Sequence, residues 1–159
     1  MPVIDRDLGY GDFMTRLAGM HSVSVLVGVD GTGTEVEVGE GGKVIATPDL
    51  AQIALWNEFG TEDGHVPERS FLRSTMDENR AKYLNLQQVA VDRMLDGLAP
   101  RTAYGAIGLV ACADVRRKIR NRVDPANAES TIRQKDSDVP LVDTGELYDA
   151  IGYQIEQLT

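Results

Sequence analysis

Asp143-Thr144-Gly145, preceded by Leu141 and Val142, has the residue types and order of an aspartic-protease turn, in which two such aspartates share one proton. Asp30-Gly31-Thr32-Gly33, behind Val27-Gly28-Val29, is a looser echo. A hydrolase of that kind needs a flap and several strands after the motif, and only Glu146 to Thr159 follow it here. Glu146-Leu147-Tyr148 reads as helix, so the expected role of Asp143 is a helix cap, with Glu146 as its capping-box partner. Glu58, Glu62, Asp63 and Glu68 lie near His65 in sequence. Such carboxylates suit magnesium or calcium, but no EF-hand spacing is present, and a solvated acidic loop is expected. His21 and His65 have no second histidine at ligand spacing, and no C-x-x-C occurs, which excludes the usual zinc patterns. The lone Cys112, among Val110, Ala111 and Ala113, reads as a small buried hydrophobe. Gly31, Gly33, Gly39, Gly41 and Gly42 are not followed by G-K-[ST], so they make no phosphate cradle. No catalytic residue, cofactor or metal is expected.

The elements that must position these residues belong to a chain of 159 residues, the length of one domain and enough for a core without staples. Apolar residues make up 42%, with no run long enough for a membrane helix and no signal-like core at the N-terminus, so a cytosolic start is expected. A net charge of -9 disfavours a DNA-coating protein, which needs a basic patch to displace counterions. It is compatible with DNA passing an acidic wall that does not hold it.

Gly11 to Met20 reads as a helix capped by Asp12, with Phe13, Leu17 and Met20 on one stripe. Ser22 to Val29 alternates as a strand, as does Thr34 to Val38, and Lys43 to Ala46 extends the sheet. The glycine-rich segment at about 30–42 reads as a flexible hairpin. Thr47-Pro48-Asp49 starts a helix, Thr47 capping it, and Gly60 ends it; Trp56 and Phe59 are expected in the core. One long helix is expected from about Arg69 to Asp96, with Leu72, Met76, Asn79, Tyr83, Leu86, Ala90 and Met94 on one face. Gly97 stops it, and Pro100 opens another helix, Thr102 to Arg122. There Gly105, Ala106, Gly108, Ala111 and Ala113 are expected to let the two helices pack closely as an antiparallel hairpin. The basic run Arg116 to Arg122 reads as a solvated helix end. A polar loop at about 124–139, with one helical turn within Asn127 to Gln134, precedes the short Asp143 helix and a final strand through Ile151, Tyr153 and Ile155. The expected fold is a single α+β domain spanning residues 1–159, with a mixed or antiparallel sheet of about four strands packed by a long helical hairpin and shorter helices.

Two phrases stand apart from this pattern. One is Trp56-Asn57-Glu58-Phe59-Gly60-Thr61 followed by Val66-Pro67-Glu68-Arg69-Ser70-Phe71-Leu72-Arg73; the other is Pro140-Leu141-Val142-Asp143-Thr144-Gly145-Glu146-Leu147. In this order they resemble the neck, tail-completion, minor-tail and virion-morphogenesis proteins of tailed bacteriophages. In that family the phrases read N-E-F-G-T … I-P-x-R-P-F-L-R and P-L-x-D-T-G-x-L. The likeness spans about Leu50 to Ile151, and Ser70 stands where the family usually has proline. The resemblance implies a non-enzymatic part of the head–tail junction or tail terminus. Such a part forms a ring, a hexamer by preference, that completes the tail and joins it to the connector while genomic DNA passes without specific binding. The implied partners are copies of itself, connector or portal-side neck proteins, and tail-tube or tail-terminator proteins, with no membrane. The implied location is the virion, after a period in the host cytoplasm. The alternatives are a head-completion adaptor, an assembly factor absent from the finished particle and, from different classes, an aspartic-type (Asp143-Thr144-Gly145) or metal-dependent hydrolase and a peptide- or ligand-binding bacterial domain. Expected assembly residues are Glu58, Phe59, Gly60, Thr61, Pro67, Arg69, Phe71, Leu72, Arg73, Asp143, Thr144, Gly145 and Leu147. Arg69 and Arg73 are expected to clamp Glu58 or its counterpart in a neighbour. Loss of either Glu58 or Arg69 is therefore expected to harm assembly more than folding.

Overall fold

The computed structural model describes residues 9–20, 23–31, 36–38, 44–46, 49–121, 123–126, 141 and 145–157. Its architecture is mixed α+β, with helices α1 (Tyr10–Met20), α2 (Leu50–Phe59), α3 (Arg73–Glu78), α4 (Arg80–Leu95), α5 (Pro100–Arg120) and α6 (Glu146–Asp149). The strands are β1 (Val23–Val29), β2 (Val36–Val38), β3 (Val44–Ala46) and β4 (Ile151–Gln157).

A single sheet of about four strands does not form among the described residues. Instead β1 pairs with β4, and β2 pairs with β3, each antiparallel and each two-stranded. The C-terminal strand takes the place beside β1 that the hairpin was expected to take. Its register sets Val27 opposite Tyr153 and Val29 opposite Ile151. All four of these side chains pack on the main core, which also holds Ala54, Phe71, Cys112, Val115, Ile119 and Leu147. A two-stranded ribbon is marginal alone, and here α5 covers one face of it. Residues 32–35 and 39–42 of the hairpin expected at about 30–42, the helical turn expected within Asn127 to Gln134 and most of the 124–139 loop lie outside the described residues.

The long helix also needs correction. It is two helices, α3 and α4, with Asn79 between them at φ -102°, ψ 10°. The Asn79 side-chain amide donates back to the Thr75 carbonyl at 2.8 Å, a local bond that competes with helix continuation. The first turn of α3 begins at Arg73 rather than Arg69, because residues 66–70 run as loop. Helix α4 then packs antiparallel to α5 as expected, through a second cluster of Ala90, Met94, Ala103 and Ile107 that also receives Leu17 of α1. Phe13 of α1 is exposed instead of sharing that contact.

The small residues of α5 divide their work in a way the spacing did not reveal. Gly105 and Gly108 face the sheet, not α4. A Cβ on Gly108 would lie 2.4 Å from the Tyr153 ring, so only glycine lets β4 approach this closely. Ala106 and Ala113 face solvent. Helix α2 starts at Leu50, and its cap is Asp49, whose carboxylate accepts from the Gln52 amide at 2.7 Å; Thr47 is outside the described residues. In α1, Asp12 sits within the first turn rather than at the cap, since the helix already begins at Tyr10.

Candidate assembly site

The site forms where α2 ends and α3 begins. Backbone amides at a helix start have no partner within the helix. Leu72 at the N-cap of α3 has no side chain able to serve them. Glu58 of α2 does so from a distance. Its Oε2 accepts from the amides of Phe71 (2.9 Å) and Leu72 (2.8 Å). Its Oε1 accepts from the Arg73 amide (2.9 Å), the Ser70 hydroxyl (2.7 Å) and Arg73 Nε (3.1 Å). The residue is only 4% exposed. Burial pushes the carboxyl pKa up, but the Leu72 amide, the Ser70 hydroxyl and the Arg73 donors outweigh it and hold it below its ordinary value. The acid that the sequence offered for an assembly clamp is therefore the remote cap of a helix in its own chain.

Arg73 completes the arrangement. Besides Glu58 it reaches Glu68 Oε1 at 2.7 Å and the Glu58 carbonyl at 3.3 Å, and its guanidinium lies 4.5 Å from the centre of the Phe59 ring. Arg69 turns away from this cluster, contrary to the expected double clamp. It is buried, and its Nε donates to the Pro125 carbonyl at 2.8 Å, with a longer bond to Ala126 at 3.4 Å. Its amide donates to the Asn57 carbonyl at 2.7 Å, which satisfies part of the open end of α2. Arg69 thus ties the loop after α5 to the end of α2.

The loop between the two halves of the phrase is closed by its own bonds. The Thr61 amide donates to the Val66 carbonyl, the Val66 amide to the Thr61 hydroxyl, and the Gly64 amide to the Thr61 carbonyl, each at 2.9 Å. The Thr61 hydroxyl and the His65 amide also hold the Asp63 carboxyl below its ordinary pKa. Gly60 is at φ +75°, and a Cβ there would meet the Glu68 amide at 3.0 Å, so the turn requires glycine. Ser70, which replaces the proline of the resembled phrase, donates to Glu58 and accepts from the Ser74 amide at 3.2 Å. Among the described residues no three His, Cys, Asp or Glu side chains converge as a ligand set.

The expected assembly residues separate by direction. Glu58, Arg69, Phe71 and Leu147 are buried, Gly60, Thr61, Leu72 and Gly145 are half-buried, and Phe59, Pro67 and Arg73 are exposed. Phe71 and Leu147 share the main core, so the two phrases meet through apolar packing. Gly145, at φ +89°, occupies the N-cap of α6. Asp143 and Thr144 lie outside the described residues. Trp56 and Phe59, expected inside, are 41% and 54% exposed.

One polar centre escaped the sequence reading. Asp114 of α5, 3% exposed, accepts from Lys82 Nζ at 2.6 and 2.8 Å, from Arg117 at 2.7 Å and from the Tyr83 hydroxyl at 3.1 Å. Burial first, and then the Asp114 hydrogen bond and charge, raise the Tyr83 pKa. The available signal was an acid among apolar and small residues on the face of α5 that meets α4, with Lys82 and Tyr83 adjacent on the partner helix. No protein-family model, curated protein or solved structure matches the chain.

Proposed function

We propose that this protein is a structural component of a tailed-phage virion, acting at the head–tail junction or tail terminus as a ring-forming subunit. What supports this reading is the pair of phrases that resemble those of neck and tail-completion proteins. The observation that supports a placement role for the first phrase is the use of Glu58. Its carboxylate accepts five protein hydrogen bonds, all from the segment that opens α3. The residues of both phrases act as placement devices: they seat α3 and α6 on one core and hold Phe59, Pro67 and Arg73 outward. Genomic DNA would pass such a ring without being bound, as the net charge of -9 favours.

Electron microscopy of particles assembled without the protein tests this reading. Free heads beside complete or over-long tails are expected. Particles with normal necks and attached tails would overturn it. Free heads with the protein missing from wild-type virions would instead identify the assembly-factor alternative.

A further inference from the structure

Helix α2 is apolar on every side: Leu50, Ala51, Ile53, Ala54, Leu55, Trp56 and Phe59 leave Gln52, Asn57 and Glu58 as its polar members. Such a helix is ordinarily covered all round. Ala54 and Glu58 do face inward, yet Leu55, Trp56 and Phe59, at i, i+1 and i+4, form an outward face and are 56%, 41% and 54% exposed. Just past the end of α2 the rim carries Glu62, Asp63 and Glu68, all exposed; Arg73 pairs with Glu68 and lies against the Phe59 ring, which leaves the Glu62–Asp63 loop as its acidic part.

A second uncovered face lies on α5. Its other sides meet α4 and the β1–β4 sheet. Ala106, Leu109 and Ala113, at i, i+3 and i+7, remain outward, with Leu109 at 62% exposure. The rim here is basic: Arg101 lies before it, and Arg117 and Arg120 after it, all exposed. Arg117 already pairs with Asp114, and Arg120 lies 5.9 Å from the Tyr148 ring. The two faces thus match as a bulky aromatic patch with an acidic border and a low-relief patch with a basic border.

We infer that the outer face of α2 in one copy of the chain docks on the outer face of α5 in the next. Leu55, Trp56 and Phe59 cover Ala106, Leu109 and Ala113, and the Glu62–Asp63 loop meets Arg117 and Arg120. This rests on the ring-forming reading above and names the surfaces that would close the ring. The charge pattern selects a second copy as the occupant. An acidic border repels nucleic acid, and in a chain of net charge -9 opposed borders are what allow copies to approach. A contact between two different patches is heterologous, the type that builds rings. A central Trp is the kind of residue that carries interface energy.

Sedimentation velocity of the full chain and of two variants, Leu55→Asp and Leu109→Asp, tests the pairing. Both positions are well exposed, so each variant should melt like the parent; Leu55→Ser and Leu109→Ser replace them if either does not. The parent is expected to associate beyond a dimer, and each variant alone to sediment as the 17.3 kDa monomer. An equimolar mixture of the variants should form a pair and stop there, since it holds one intact copy of each face. Variants that associate like the parent, a mixture that stays monomeric, or a parent that is monomeric at every concentration would each overturn the inference. Rings that survive both substitutions would dismiss these surfaces and leave the neck reading standing. That reading fails separately, on particles whose necks are normal without the protein.

Discussion

Glu58, singled out in the sequence for assembly, serves in the fold as the remote cap of α3. A carboxylate removed from water must be matched by donors, and three amides, a hydroxyl and a guanidinium match this one. Glu58→Ala leaves those amides without an acceptor and should cost about 2–4 kcal/mol in urea unfolding of the monomer. The five intrachain bonds thus predict a folding cost for this variant beside the cost to assembly that the sequence led us to expect. The sign with pH follows from the lowered pKa. The contribution of Glu58 is full above the ordinary carboxyl value of 4.5 and is lost as pH falls through the lower folded value. The unfolding midpoint of the parent should thus fall more steeply than that of Glu58→Gln as the solution is acidified below that value. Parallel curves would show that the ionised carboxylate caps no better than the neutral group.

At the level of elements, the contact between α5 and β4 is set by two glycines with different surroundings. A Cβ on Gly105 would meet the Tyr153 hydroxyl and Ile155 at 3.5 and 3.6 Å, ordinary contact distances. Gly105→Ala should accordingly stabilise the chain by about 0.5–1 kcal/mol, through helix propensity alone. Gly108→Ala places a methyl 2.4 Å from the root of the Tyr153 ring, which cannot swing aside without leaving the core. The overpacking should outweigh the gain in propensity and destabilise by about 1–3 kcal/mol. Thermal melts of the two variants, three residues apart on one helix, are expected to move in opposite directions.

For the whole molecule, the decisive feature is that the chain closes on itself through β1 and β4. Val23 pairs with Gln157 and Val29 with Ile151, so the last strand completes a ribbon begun near the start of the fold. Arg116 reinforces the closure by donating to the carbonyls of Tyr148 (3.2 Å) and Ile151 (2.8 Å). A chain ending at Ala150 would leave β1 without a partner and the Gly105–Gly108 surface of α5 uncovered. Its circular dichroism should retain helix, while the cooperative thermal transition expected of the full chain should be lost. A sharp transition near that of the full chain would show that the helices carry the fold alone.

Periodicity and punctuation alone placed the helix ends at Gly60, Gly97 and Pro100, the α4–α5 hairpin, and strands β1 and β4, because those signals are local: glycine conformation, a missing amide, alternation of apolar side chains. The amino-acid order also singled out the Glu58 and Phe71 phrases as one unit. Its hairpin reading set β1 beside its neighbour in sequence, but the distant β4 has equal local propensity, and packing on α5 goes with the β1–β4 pairing. The break at Asn79 was hidden because the apolar stripe continues through it. Asp114 and the direction of Arg69 were hidden because a buried polar partner is found across space, and only the folded backbone brings its donors within reach.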